Sequence, residues 1–186
     1  MNRARQHRSG FAAILVVLAV ACTSAPAQPS QAGVSPEPGL PVHVLPGGCS
    51  DTVVTDSEPP AWSQSGFHAK GIPWPVPWAL GTPGDAIAFI FSTQLVAGRS
   101  PRVDGSNNKV HWVVKDNPVN LVVVGHPVGR SEPVVGGPSG SGTDEVPTAG
   151  CWTFRVLWGS NNQHHSTINL DVLPQGTLPS KALIAP

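Results

Sequence analysis

Two stretches near the C-terminal end of the sequence alternate apolar and polar side chains with a period of two, and this pattern constrains the fold more than any other. In residues 151–158 the apolar side chains on one face are Trp152, Phe154, Val156 and Trp158. In residues 168–172 they are Ile168, Leu170 and Val172. Successive side chains of a β-strand point to opposite faces, and the intervening residues 159–165, GSNNQHH, are typical of a turn. The pattern predicts an antiparallel hairpin with one buried face.

Three further segments, residues 85–92, 109–115 and 119–125, are rich in valine, isoleucine and aromatic residues and are bounded by turn residues. No segment has a convincing helical period. About seven short strands at this spacing in residues 49–175 predict an all-β protein, an antiparallel sandwich. The glycine-rich residues 136–142, GGPSGSG, are expected to form a flexible loop before the last hairpin.

The segment of residues 109–115, KVHWVVK, also alternates. Val110, Trp112 and Val114 are expected to face the core, while Lys109, His111 and Lys115 face water. This arrangement is typical of a sheet with one solvated face.

The N-terminal residues 1–21 have the pattern of an export signal. Three arginines precede an apolar run over residues 11–21, which is too short for a membrane-spanning helix of roughly 20 residues. The sequence LAVAC that ends at Cys22 resembles the bacterial lipobox, although its leucine lies four positions before the cysteine rather than three. The resemblance implies that Cys22 is lipidated and anchors the protein to a membrane; the alternative is ordinary signal cleavage that leaves Cys22 as a free thiol.

Residues 22–48 are rich in proline and predict an extended tether between the anchor and the domain. Residues 43–45 have a second interpretation as a first edge strand. Residues 176–186 are expected to form a C-terminal tail.

Cys49 and Cys151 lie near the two ends of the predicted domain. In an exported protein we expect them to form a disulfide, because two distant cysteines do not make a clustered zinc motif. Two unpaired thiols are the alternative. Since Cys151 lies off the face of Trp152, the bridge is expected to join the incoming N-terminal segment to the outer surface or edge of the sheet.

Residues 145–156, EVPTAGCWTFRV, with the glycine turn and the strand of residues 168–172, resemble the closing hairpin of bacterial immunoglobulin-like domains. Residues 108–115 and the lipobox-like N-terminus are similar to uncharacterised actinobacterial-type lipoproteins. The resemblance implies an immunoglobulin-like β-sandwich at the cell envelope. It implies no activity, because its motifs are structural.

Charge argues against a nucleic-acid partner. Without the three arginines before Cys22, 8 basic residues remain against 11 acidic ones, a net charge of about −3. The basic patch that nucleic-acid binding requires is not visible.

Two sets of residues suggest binding sites. Trp74 and Trp78, in the sequence WPVPW, would bind a glycan or small ligand if their indoles were exposed, and would cap the core if they were buried. His111, His164 and His165 would form a metal site if their strand ends converged, with His126 as a further candidate.

No arrangement of a nucleophile with a base and an orienting partner is visible, so we expect neither an enzyme nor a cofactor. The leading hypothesis is a lipid-anchored, extracytoplasmic protein with a non-catalytic binding or scaffold domain. Its expected partners are the membrane, another envelope protein or cell-wall glycan.

Overall fold

The computed structural model describes residues 43–65, 67, 74–115, 120–138, 141–143 and 145–179. The predicted export signal, Cys22, residues 22–42 of the tether and residues 180–186 of the predicted tail lie outside the described residues.

The described residues form eleven β-strands and two short 3-10 turns. The strands are β1 Val44–Leu45, β2 Val54–Thr55, β3 Trp78–Leu80, β4 Ala86–Ile90, β5 Leu95–Val96, β6 Lys109–Val114, β7 Leu121–Pro127, β8 Val135–Pro138, β9 Ser141–Thr143, β10 Gly150–Trp158 and β11 His164–Leu173. The 3-10 turns are Ala61–Ser63 and Ser160–Asn162.

The strands are arranged in two sheets. Sheet A has the order β1-β2-β3-β4-β6-β9, and sheet B has the order β5-β11-β10-β7-β8. Sheet B curls into half of a barrel. The prediction of an all-β protein is confirmed. The described strands number eleven rather than about seven, because β1, β2, β3 and β5 are too short for their alternation to be recognised, and β5 pairs with β11 in parallel rather than antiparallel.

The inner faces of the two sheets enclose the main hydrophobic core. The predicted hairpin of β10 and β11 is confirmed, with Trp152 opposite Leu170 and Phe154 opposite Ile168. The apolar side chains that the alternation assigns to the core are all buried in both strands. The ring of Phe154 meets that of Trp112 in sheet A at a centroid distance of 5.5 Å, so the core joins the sheets.

A second hydrophobic cluster covers part of the outer face of sheet A. It consists of Trp74, Trp78, Ile87 and Phe89, with Trp62, Phe67, Val76 and Val113 packed against it. Four of these residues, Trp62, Phe67, Trp74 and Val76, belong to the connection between β2 and β3. All five residues of β4 are therefore buried, and the face of β6 that was expected to be wet is half-buried at His111 and Val113.

The folded unit begins earlier than the predicted boundary at residue 48. Val44–Leu45 pairs with β2, which confirms the edge-strand interpretation of residues 43–45. The carbonyl oxygen of Gly47 accepts a hydrogen bond from the amide of Asp171 in β11. Residues 43–48 therefore belong to the domain rather than to the tether.

The expected disulfide between Cys49 and Cys151 is present, with the two Cα atoms 5.9 Å apart. The amide of Cys49 donates to the carbonyl oxygen of Asn169 at 3.3 Å, and the amide of Asn169 donates to Thr52 Oγ1 at 2.9 Å. The bridge thus fastens the incoming segment to the edge and outer surface of sheet B, as the position of Cys151 predicts.

The glycine-rich run was predicted to be a flexible loop, and this prediction is wrong for the described part of it. Residues Val135–Pro138 form β8 at the edge of sheet B, and Ser141–Thr143 form β9 at the edge of sheet A. Backbone hydrogen bonds to β7 and β6 need no side-chain alternation. Gly136 also permits a close approach, because a Cβ there would lie 2.9 Å from Cγ1 of Val124.

Candidate functional site

Trp74 and Trp78 lie in the cluster on the outer face of sheet A. They are 4% and 8% exposed. The Nε1 of Trp78 donates to the carbonyl oxygen of Ser57 at 2.7 Å, and the ring of Trp74 lies 6.0 Å from that of Phe67. Neither indole offers a free face, so the prediction that these residues form an exposed ligand-binding surface is wrong. The core-capping alternative is confirmed.

The predicted metal ligands do not come together. His111 lies in sheet A, whereas His164 and His165 lie in sheet B, where they pair with Trp158 and Leu157. The part of the chain that the structure describes contains no group of three His, Cys, Asp or Glu residues placed to hold a metal ion. The metal site predicted at His111, His164 and His165 is therefore wrong.

Local packing explains where these histidines lie. The turn between β10 and β11 is shorter than expected, because the 3-10 turn Ser160–Asn162 reverses the chain and β11 begins at His164. The imidazole of His164 stacks on Trp158, with centroids 5.8 Å apart. His126, the further candidate, lies on the outer face of sheet B, with its Nδ1 3.1 Å from the carbonyl oxygen of Pro127.

His111 is held in a partly apolar setting. Its ring lies 6.1 Å from that of Phe67 and 6.4 Å from that of Phe89. Burial lowers the pKa of His111, and the neighbouring positive charge of Lys109 lowers it further. Both causes disfavour the imidazolium form, so this histidine is neutral at neutral pH.

The outer face of sheet B is the other large strand surface of the domain. It carries three rows of three side chains, taken from β7, β10 and β11. The rows are His126, Thr153 and Asn169; Val124, Arg155 and Thr167; and Val122, Leu157 and His165. The hydrophobic clusters of the described residues include none of these nine side chains.

Arg155 occupies the centre of this surface and is exposed. The ion pairs found among the described residues, His43–Asp56 and Arg102–Asp104, do not involve it. A guanidinium presents several N–H donors in one plane and can hold a carboxylate by two parallel hydrogen bonds. Half-buried Val124 lies beside it in the same row, and half-buried Val122 and Leu157 lie in the next row. Apolar side chains therefore border the charged donor on one side.

The remaining side chains of the outer face supply further polar groups. Thr153 donates from Oγ1 to Asn169 Oδ1 at 2.9 Å. This leaves the side-chain nitrogen Nδ2 of Asn169 as a donor. One row beyond, the disulfide at Cys151 and the side chain of Asp171 border the surface, and Asp171 accepts from Gln94 at 3.2 Å. The outer face of sheet B can thus offer several hydrogen bonds around one cation.

The alternation of residues 151–158 predicts Arg155 on the face opposite Trp152, but no motif in the sequence gives it a role. The signal that could have found it is its position in the middle of the strictest alternation in the chain. Its central place arises from the pairing of β10 with both β7 and β11, and β7 is separated from β10 by more than 20 residues.

Comparison of the chain with protein-family models, with curated proteins and with solved structures finds no match. The likeness to bacterial immunoglobulin-like domains therefore rests on the sequence motifs alone. Within the described residues, no helix has the length and apolar character needed to cross a bilayer.

Proposed function

We propose that this protein is a lipid-anchored protein of the bacterial cell envelope, and that its extracytoplasmic domain binds another envelope protein without catalysing a reaction. The binding surface is the outer face of sheet B, with Arg155 at its centre. The domain is proposed to be a variant of the immunoglobulin-like sandwich, which the two packed sheets and the closing hairpin of β10 and β11 support.

The observation that carries this proposal is the contrast between the two outer faces. The chain covers much of the outer face of sheet A with its own aromatic side chains, whereas the nine side chains on sheet B lie outside both hydrophobic clusters. Arginine is enriched among the residues that dominate the binding energy of protein interfaces, where apolar neighbours exclude water from it. The surface has no Trp, Tyr or Phe on which a sugar ring could stack, which favours a protein partner over a glycan.

The location is supported by two features. A disulfide forms and persists in oxidising compartments, so the Cys49–Cys151 bridge is compatible with an extracytoplasmic domain. The signal-like residues 1–21 and the lipobox-like sequence before Cys22 supply the anchor.

Site-specific photo-crosslinking in living cells tests the binding surface. A photoreactive residue is placed at His165, exposed on the outer face of sheet B, or at Val44, which is 64% exposed in β1 of sheet A. We expect a discrete crosslinked protein from His165. The crosslink should be lost when Arg155→Glu is added and retained with Arg130→Glu, a matched change of an exposed arginine in the turn after β7.

The partner identified by mass spectrometry is then purified and its binding to the exported domain is measured directly. Equal binding by Arg155→Glu and Arg130→Glu would contradict the proposal. Capture from Val44 alone would move the binding surface to sheet A, and binding only to isolated cell-wall glycan would replace the protein partner with a glycan.

Metabolic labelling with a clickable fatty acid tests the anchor. The wild-type protein should carry the label, and the Cys22→Ser variant should not. Equal labelling of both proteins would refute lipidation at Cys22.

A further inference from the structure

A cavity of about 380 Å³ lies where three connecting segments meet. It is lined by Gly98 and Arg99 after β5, by Val134 before β8, and by Glu145, Val146 and Pro147 before β10. None of the nine side chains of the outer face of sheet B lines it. Its volume is within the range of about 300–1,000 Å³ that is usual for small-molecule sites.

Backbone hydrogen bonds hold the walls of this cavity together. The amide of Gly98 donates to the carbonyl oxygen of Val146 at 2.8 Å, and the amide of Val134 donates to that of Gly125 at 2.8 Å. The amide of Ser100 donates to Glu145 Oε1 at 3.4 Å. Val146 is fully buried in the main core. The walls of the cavity are therefore fixed to β7 of sheet B and to the main core.

The lining combines one cation, one anion and an apolar surface. Arg99 and Glu145 are both exposed, and they do not form an ion pair with each other. Val134 is 49% exposed, which leaves its side chain free to contact a ligand, and Pro147 is exposed as well. Small-molecule sites have this composition: apolar walls and a few placed polar groups that fix orientation.

We propose that this cavity binds a small zwitterion with an apolar side chain, either a free apolar amino acid or a short apolar peptide. Arg99 holds the ligand's carboxylate, because its planar fork of donors matches two carboxylate oxygens. Glu145 accepts hydrogen bonds from the ligand's ammonium group. Val134 and Pro147 contact the apolar side chain. Because both charges face water, the affinity is modest, with a Kd of about 0.1–1 mM.

NMR titration of the exported protein, purified with Cys22→Ser so that it carries no lipid, tests this proposal. The probes are L-leucine and the dipeptide Leu-Leu. N-acetyl-leucine lacks the ammonium group, and leucine amide lacks the carboxylate. We expect saturable shifts of the amide signals of Gly98, Val134 and Val146 with leucine, the dipeptide or both. Saturation by leucine alone identifies a free amino acid as the ligand class, and saturation by the dipeptide alone identifies a peptide.

Two variants match the two charges of the ligand. L-Leucine and Leu-Leu, which carry both charges, are the unblocked probes. Arg99→Gln should weaken the binding of whichever unblocked probe saturates by about three- to tenfold and leave the binding of leucine amide unchanged. Glu145→Gln should weaken the binding of that probe by a similar factor and leave the binding of N-acetyl-leucine unchanged. Arg130→Gln, an exposed arginine outside the lining, is the control and should bind as the wild type does.

Unchanged amide signals far from the cavity show that each variant is folded. The absence of saturable shifts with both unblocked probes would overturn the proposal, as would equal binding by Arg99→Gln, Glu145→Gln and the wild type. These results are independent of the partner bound by the outer face of sheet B, because no residue is shared between the two sites.

Discussion

The outer faces of the two sheets differ in what covers them. On sheet A, the described parts of the connection between β2 and β3 bring Trp62, Phe67 and Trp74 over Ile87 and Phe89. On sheet B, polar and half-buried side chains surround the exposed Arg155. Both sheets contribute to the same inner core. The difference therefore arises from the side chains that each strand carries on the outer face of its sheet.

The strands themselves explain this difference. β4 reads AIAFI and is apolar on both faces, so it requires cover on both. β10 alternates, so Trp152, Phe154, Val156 and Trp158 are buried, and the only large apolar side chain on its other face is the half-buried Leu157. A strand that alternates in this way can leave its polar side in water at little cost in apolar exposure. The cover on sheet A is incomplete, since Val44, Val53 and Leu80 are exposed, and the crosslinking position at Val44 samples that region.

The largest expected effect concerns the disulfide that borders the outer face of sheet B. The double variant Cys49→Ser/Cys151→Ser should lose about 4–5 kcal/mol of unfolding free energy, because the bridge closes a loop with a sequence separation of 102. Denaturant unfolding with and without reductant measures the loss. Reduction should lower the unfolding free energy of the wild type to that of the double variant and leave the double variant unchanged, which assigns the effect to the bridge.

A loss below about 1 kcal/mol would show that the hydrogen bonds of Gly47, Cys49 and Thr52 to β11 hold the incoming segment without the bridge. The attachment of the incoming segment to sheet B would then depend on backbone hydrogen bonds, whereas the aromatic cluster on sheet A is held by side-chain packing.

Removing an aromatic ring from the covered face should have the next largest effect. Trp78→Ala is expected to lower the unfolding free energy by about 3–5 kcal/mol, because it empties a buried site and removes the hydrogen bond to Ser57. Trp78→Phe, which keeps an aromatic ring but not the N–H donor, should cost less. Denaturant unfolding of both variants is the measurement, and an equal, small loss in both would mean that the cluster on sheet A does not stabilise the domain.

Much of the inner core could be predicted from the sequence. The alternation in β10 and β11 assigns each buried apolar side chain correctly, because period-two patterning is a local property of the chain. It does not assign Ser166 of β11, which is also buried. The disulfide was also predictable, since an exported chain has few other uses for two distant cysteines. The pattern fails where burial depends on segments distant in sequence.

Trp74 and Trp78 illustrate that failure. Their prolines exclude a central strand, but whether the indoles face water depends on β4, Trp62 and Phe67, and no local pattern reveals that packing. The central position of Arg155 was equally hidden, because it depends on pairing with β7. His164 was assigned to a loop because turn residues precede it, and the 3-10 turn Ser160–Asn162 makes the reversal shorter.

A smaller effect distinguishes the histidine on the covered face. His111 has a pKa below the ordinary 6.5. Above pH 6.5 the imidazole is neutral in both the folded and the unfolded states. As the pH falls from 6.5 to the lowered folded-state pKa, the unfolded chain binds a proton that the folded state does not, so the free energy of unfolding decreases. Below the folded-state pKa this contribution stops changing.

NMR titration of the His111 ring measures the pKa directly, and unfolding curves across the same pH range measure the loss. In Lys109→Gln the pKa should rise towards 6.5 without reaching it, because burial is the larger cause of the shift. A His111 that titrates at or above 6.5 in the wild type would contradict the half-buried setting of this residue beside Phe67 and Phe89.

The smallest expected effect on stability is also the sharpest test of the contrast between the faces. Arg155→Gln keeps a polar side chain, although a shorter one, and removes the charge. We expect it to change the unfolding free energy by at most about 0.5 kcal/mol, as for an exposed residue outside any buried network. Arg155→Gln should weaken binding of the crosslinked partner, whereas Trp78→Ala should lower the unfolding free energy of the domain. If Arg155→Gln instead lost more than about 1.5 kcal/mol in denaturant unfolding, Arg155 would belong to the framework of sheet B. The outer face of sheet B would then be a structural surface like that of sheet A, because a guanidinium that stabilises the fold is engaged with the domain's own groups and is not free to recognise another protein.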